Sequence, residues 1–182
     1  MAPESRFLAL PTELRDQVYT AIALSVQPFE IQRDALGNKH GSLIASSAGS
    51  GLLQTCRQAY FEYTRILNEL VPSPDAKIAT AVYDFDFSHL KAFVRTLDEQ
   101  QIALVNRHRS ITAHLFVVNI DKEEADNMAN WLKVCDETGV DVEYVLQWSG
   151  FTLTDFCTLE RILAGHLEGP KIWKAVGAPT VS

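Results

Sequence analysis

The chain has 182 residues, 47% of them hydrophobic and 21% charged, with a formal net charge of −7. That composition is globular, with room for one compact domain or for a small helical module fused to a second unit. It holds no long apolar run of the kind a membrane span requires, and its acidic balance opposes nucleic-acid binding, which rests on basic residues that displace counterions.

The opening stretch is interrupted by Glu13, Arg15 and Asp16 and lacks a basic leader, so no secretory signal is expected. Cys56, Cys135 and Cys157 are odd in number, widely separated and set in helical apolar patterns, which reads as reduced core thiols of an intracellular protein, cytoplasmic or nuclear. Arg107-His108-Arg109 is the one basic cluster, and it is short enough to be a solvated face.

In chain order, Pro11 suits the first position of a helix, with Glu13 and Asp16 near its positive end. Leu14, Val18, Ala21 and Ile22 fall on one side, with Tyr19 flanking them, and Pro28 predicts a stop near Val26. Phe29 to Arg33 alternates like a strand, Leu36 to Lys39 supplies turn residues, and Ser42 to Ser46 can return as a hairpin partner. The Ser- and Gly-rich run from Ser46 to Gly51 lacks the Lys-Ser/Thr ending of a phosphate-binding loop and reads as a plain loop. Next, Leu53, Cys56, Tyr60, Tyr63, Leu67 and Leu70 step by three and four along a helix with one face to bury. Its polar stripe holds Gln54, Gln58, Glu62 and Arg65, and Phe61 among them reads as a satellite core contact or a partner anchor.

The Pro-Ser-Pro-Asp run from Pro72 to Asp75 marks the internal boundary, giving a first unit over 1–72, a βα unit over 76–165 and an irregular tail over 166–182. In the second unit, Ile78 to Phe87, Ile111 to Val118 and Val140 to Trp148 read as strands, with helical material from His89 to about Asn106 and again after each later strand. Asp121 and Glu124 form an acidic capping box, and Gly139 can end the helix it starts. Strand and helix in turn predict a parallel sheet with right-handed crossovers. Ile172 and Trp173 are available to pin the tail.

Leu10, Pro11, Glu13, Leu14, Arg15, Val18 and Tyr19, followed by Leu52, Leu53, Thr55, Cys56, Arg57 and Gln58, resemble two ordered motifs of a family of fungal F-box-like proteins. The resemblance covers roughly residues 7 to 65 of the chain. Together with the hairpin and the three strands read above, it gives an α+β protein in which an F-box-like helical module with an inserted β-hairpin precedes a small three-stranded βα unit. It also implies a non-enzymatic adaptor that docks on Skp1 of a cullin ubiquitin ligase through Leu10, Pro11, Leu14, Val18 and Tyr19 and recruits a client protein. Read without the resemblance, Leu10, Pro11 and Leu14 simply pack the first helix against the second, and the chain is a stand-alone structural or regulatory binding protein.

No nucleophile triad order, metal-spaced pair or dinucleotide fingerprint is visible, so no cofactor or metal is expected and a small hydrolase or metal-dependent enzyme ranks third. Strict alternation puts Asp84 and Asp86 opposite Tyr83, Phe85 and Phe87, on a surface shared with His114, Phe116, Glu143, Val145 and Gln147. Asp84, Asp86, His114, Phe116, Glu143 and Val145 are therefore the candidate client surface, where apolar residues rimmed by charge favour a basic client. The competing reading is that the C-terminal segment covers Phe116 and Val145.

Overall fold

The computed structural model describes residues 6–25, 27–31, 56–71, 73 and 75–177, together with the backbone of 43–45. The expected turn over 36–39, the Ser/Gly loop over 46–51 and the motif residues Leu52, Leu53 and Thr55 lie outside the described residues. The elements are α1 (Thr12–Ser25), β1 (Phe29–Ile31), β2 (Leu43–Ala45), α2 (Arg57–Leu70), β3 (Ile78–Tyr83), α3 (Ser88–Val94), α4 (Glu99–His108), β4 (Ile111–Val117), α5 (Lys122–Thr138), β5 (Glu143–Ser149), α6 (Leu153–Leu163) and α7 (Gly169–Val176).

Mixed helix and strand, expected from the alternating pattern, is what forms. One sheet in the order β2-β1-β3-β4-β5 runs parallel from β1 to β5, with β2 antiparallel at its edge. The predicted hairpin exists, pairing Phe29 with Ala45 and Ile31 with Leu43. Its first strand also joins β3 in parallel, Phe29 beside Ile78, so the sheet continues through the Pro-rich boundary. Ile78, Thr80 and Val82 of β3 and Ile111, Ala113, Leu115 and Val117 of β4 are buried, whereas the residues between them are half-buried or exposed. Right-handed crossovers that advance in one direction lay their helices on one face, which accounts for this asymmetry.

The covered face carries the core. Leu90, Phe93 and Val94 of α3, Met128, Trp131 and Leu132 of α5, Leu159 of α6 and Ile172 of α7 are all buried there. Phe87 stacks on Trp131 at 4.9 Å, and the Trp131 indole N–H donates to the Tyr144 hydroxyl at 2.8 Å, which satisfies the polar edge of a buried aromatic.

Four local expectations change. The first strand of the βα unit ends at Tyr83 rather than Phe87, because Asp84 and Phe85 take positive φ values of 47° and 55° and break the alternation. The helical material expected from His89 to about Asn106 forms as two helices, α3 and α4, because Asp98 and Gln101 form a reciprocal capping box that starts a new helix. The tail contains α7, anchored by buried Ile172 and Val176 and by Lys171, which bridges Asp141 at 2.7 Å and the buried Glu168 carboxylate at 2.6 Å. On α2 the buried residues are Ala59, Tyr63, Ile66 and Leu67, leaving Tyr60 and Phe61 exposed in an edge-to-face pair. The box at Asp121 and Glu124 and the left-handed cap at Gly139 form as expected. Of the cysteines, Cys135 is buried, Cys56 caps α2 through its sulfur, and Cys157 is exposed rather than in the core.

Candidate functional site

The opening motif divides between inside and outside. The Pro11 carbonyl accepts from the N–H groups of Leu14 and Arg15, both at 3.1 Å, and starts α1. Arg15 points inward: Nε donates to Glu62 Oε2 at 2.9 Å and Nη2 to Glu62 Oε1 at 2.6 Å, a bidentate pair between α1 and α2. Nη1 donates to the carbonyls of Leu8 and Leu10, and Nη2 also reaches Thr12 Oγ1 at 3.2 Å. One guanidinium thus ties the loop before α1, its first turn and α2. Glu62 also accepts from Gln58 at 3.0 Å and from the Tyr19 hydroxyl at 3.3 Å. Arg15's hydrogen bonds lead in holding the Glu62 carboxyl at about 2, while burial and then the Glu62 charge push the Tyr19 hydroxyl up to about 12.

Tyr19 is consequently core. It is fully buried against Phe7, edge-on at 5.4 Å, and Tyr63 at 5.7 Å, and is not available to a partner with which the sequence grouped it. Because Arg15, Tyr19 and Ala23 supply the inward face, Leu14 and Val18 turn outward, 47% and 39% exposed, beside exposed Leu10 and Pro11. The alternative expectation packed Leu14 against α2, but the buried stripe lies one residue, about 100°, further round the helix. Asp16 and Arg65 add a bidentate pair at 2.7 Å across α1 and α2.

The second surface is the uncovered face of the sheet. His114, Phe116 and Val145 lie on it half-buried and Glu143 exposed, with His114 beside Val145 in the β4–β5 register. The C-terminal segment leaves Phe116 and Val145 partly accessible. Gln147 Nε2 lies 2.8 Å from His114 Nδ1, which orients both side chains.

Asp84 and Asp86 do not belong to the strand. Asp84 sits in the turn after β3, where its carboxylate accepts the Val118 N–H at 3.0 Å, and Asp86 accepts the Ser88 N–H at 3.0 Å just before α3. Both are placed by the positive-φ turn, which also sends Phe85 and Phe87 into the core.

Sequence reasoning missed two aromatics on this face. Tyr83, 48% exposed, pairs with Phe116, and their rings stack at 5.0 Å. Trp148, 54% exposed, pairs with Phe116 from β5, because a bulge sets Leu115 beside Leu146 but Phe116 beside Trp148. One extra residue moves every following side chain to the other face. The clue to Tyr83 lay in the buried column Ile78, Thr80 and Val82, which places Tyr83 with Ala79 and Ala81; nothing in the sequence marks the bulge.

No protein-family model matches the chain, and comparison with curated proteins and with solved structures finds no match. Among the described residues, no helix is long and apolar enough to cross a membrane, and no group of three His, Cys, Asp or Glu is arranged to hold a metal ion.

Proposed function

We propose that this chain is a protein-interaction adaptor, with α1 as a docking helix for a Skp1-type partner, as in the substrate-recruiting F-box-like subunits of cullin ubiquitin ligases, and the uncovered sheet face as the client surface. The observation that carries this reading is the division of the opening motif. Arg15 and Tyr19 do the packing, so Leu14 and Val18 are held outward on α1, with Leu10 and Pro11 exposed just before it. Exposed aliphatic residues held in one conformation lose little entropy on association, which favours their use as anchors.

The client surface adds Tyr83, Phe116 and Trp148, residue types enriched at binding hot spots, with Glu143 at its margin. Its acidic margin suits a basic client and predicts faster association at low salt. A pull-down with purified Skp1 tests the first half: the intact chain is retained, and Leu14→Ala with Val18→Ala is not, while its unfolding midpoint is unchanged within experimental scatter. Failure of the intact chain to bind would leave the second reading, a stand-alone binding protein, which the aromatic face supports without any Skp1.

A further inference from the structure

The uncovered sheet face is ordered in rows, because the parallel register brings residues of four strands to one level. Glu30 of β1 lies beside Ala79 of β3, Ala79 beside Thr112 of β4, and Thr112 beside Glu143 of β5. Both carboxylates are exposed, and at about 4.8 Å between strands they stand about 14 Å apart with only small side chains between them. Ala81 and His114 continue the floor, and Tyr83, Phe116 and Trp148 close it about 13 Å further along the strands. Among the described residues, no strand position on this face holds a Lys or Arg; Lys77, just before β3, donates from Nζ to the His108 carbonyl at 3.2 Å. Parallel sheets are ordinarily buried on both faces, and the helices that supply the core lie on the other one.

We infer that this face docks a basic amphipathic helix of a partner protein, lying along β3 and β4. An extended segment would find no backbone partners there, since the N–H and C=O groups of a sheet point sideways to neighbouring strands, whereas a helix satisfies its own. A helix with its side chains is about 10–12 Å across, so it fits between Glu30 and Glu143, and Ala79, Ala81 and Thr112 let its backbone come close. The floor takes about nine helical residues, roughly two and a half turns, enough for apolar anchors at i, i+3 or i+4, and i+7. Lys or Arg on both flanks of that stripe then reaches a carboxylate on each side, and an apolar residue at one end meets Phe116 and Trp148. A second copy of this face would bring no cation to Glu30 and Glu143. The inference rests on the reading of this face as a client surface and is independent of α1 docking.

The test is selection of displayed peptide libraries, one on a helical scaffold and one extended, against the intact chain, followed by ¹H–¹⁵N NMR titration with synthetic copies of the enriched peptides. Helical peptides with Lys or Arg on both flanks of an apolar stripe should be enriched and should shift the amides of residues 79–83, 112–118 and 143–148. Glu30→Gln and Glu143→Gln should each weaken their binding by about threefold, as for exposed ion pairs. Ala81→Leu raises the floor under the helix and should weaken it by at least about tenfold, whereas Lys133→Gln on α5, across the sheet, should leave it unchanged. A dispersed spectrum verifies that each variant is folded. Peptides that shift this face but are acidic or extended, or whose binding is indifferent to both glutamate substitutions, would overturn the helix assignment and leave the client surface standing. Peptides that never shift this face would overturn both.

Discussion

Replacing Glu62 by Gln should destabilise the fold at neutral pH and much less in acid. Glu62 joins Arg15 in a bidentate pair whose side chains are 8% and 17% exposed, and it also accepts from Tyr19 and Gln58. Its carboxyl falls from the ordinary 4.5 to about 2 on folding, chiefly through Arg15's hydrogen bonds. At 1.36 kcal/mol per pH unit that difference corresponds to roughly 3 kcal/mol, and solvent screening at the rim of the pair reduces it to about 2 kcal/mol. A folded-state value below the unfolded one means that the stabilisation is complete above about 4.5 and is lost as pH falls towards 2. Urea unfolding of wild type and Glu62→Gln should therefore separate by about 2 kcal/mol at pH 6.5 and by less than about half of that at pH 3. A gap below about 0.5 kcal/mol at pH 6.5, or one that does not change with pH, would refute the claim that this charge pair locks α1 onto α2.

Phe87→Ala removes a fully buried ring stacked on Trp131 and should cost about 3–5 kcal/mol, read as a lowered unfolding midpoint with an unchanged denaturant slope. Gly150→Ala places a Cβ 2.5 Å from the Val118 carbonyl oxygen, so the end of β5 must shift; thermal unfolding should report a loss of at least about 1 kcal/mol, as for other backbone-overlap substitutions. Asp155→Asn weakens the box that starts α6, in which the carboxylate accepts from the Thr152 N–H, the Thr152 hydroxyl and the Ile120 N–H. About 1 kcal/mol should be lost at neutral pH, measured by urea unfolding. Because the Thr152 hydrogen bonds lower the Asp155 pKa, that difference is complete above the ordinary carboxyl range and fades as pH falls through the folded-state value.

Local rules in the sequence determined the repeating plan: a helix begun at Pro11, the capping box at Asp121 and Glu124, the stop at Gly139, and strands read from alternating residues. Each of these depends on neighbours within one or two turns, which a single sequence carries in full. Which apolar stripe of α1 faces inward was not decided that way, because Leu14 and Val18 look like core by periodicity. Arg15 and Tyr19 take the inside only because Glu62, far along the chain, satisfies them there. The same holds for the uncovered face of the sheet. Alternation correctly brought together His114, Phe116, Glu143 and Val145, but the two positive-φ residues after β3 removed Asp84 and Asp86, and the β5 bulge added Trp148. The parallel pairing of β1 with β3 and the tie of the tail to the residues just before β5, Lys171 to Asp141 and Glu168 to the Val142 N–H, likewise join segments distant in sequence. Contacts of this kind decide helix rotation and side-chain facing because a polar group is satisfied wherever a partner is available, and only the tertiary structure supplies that partner.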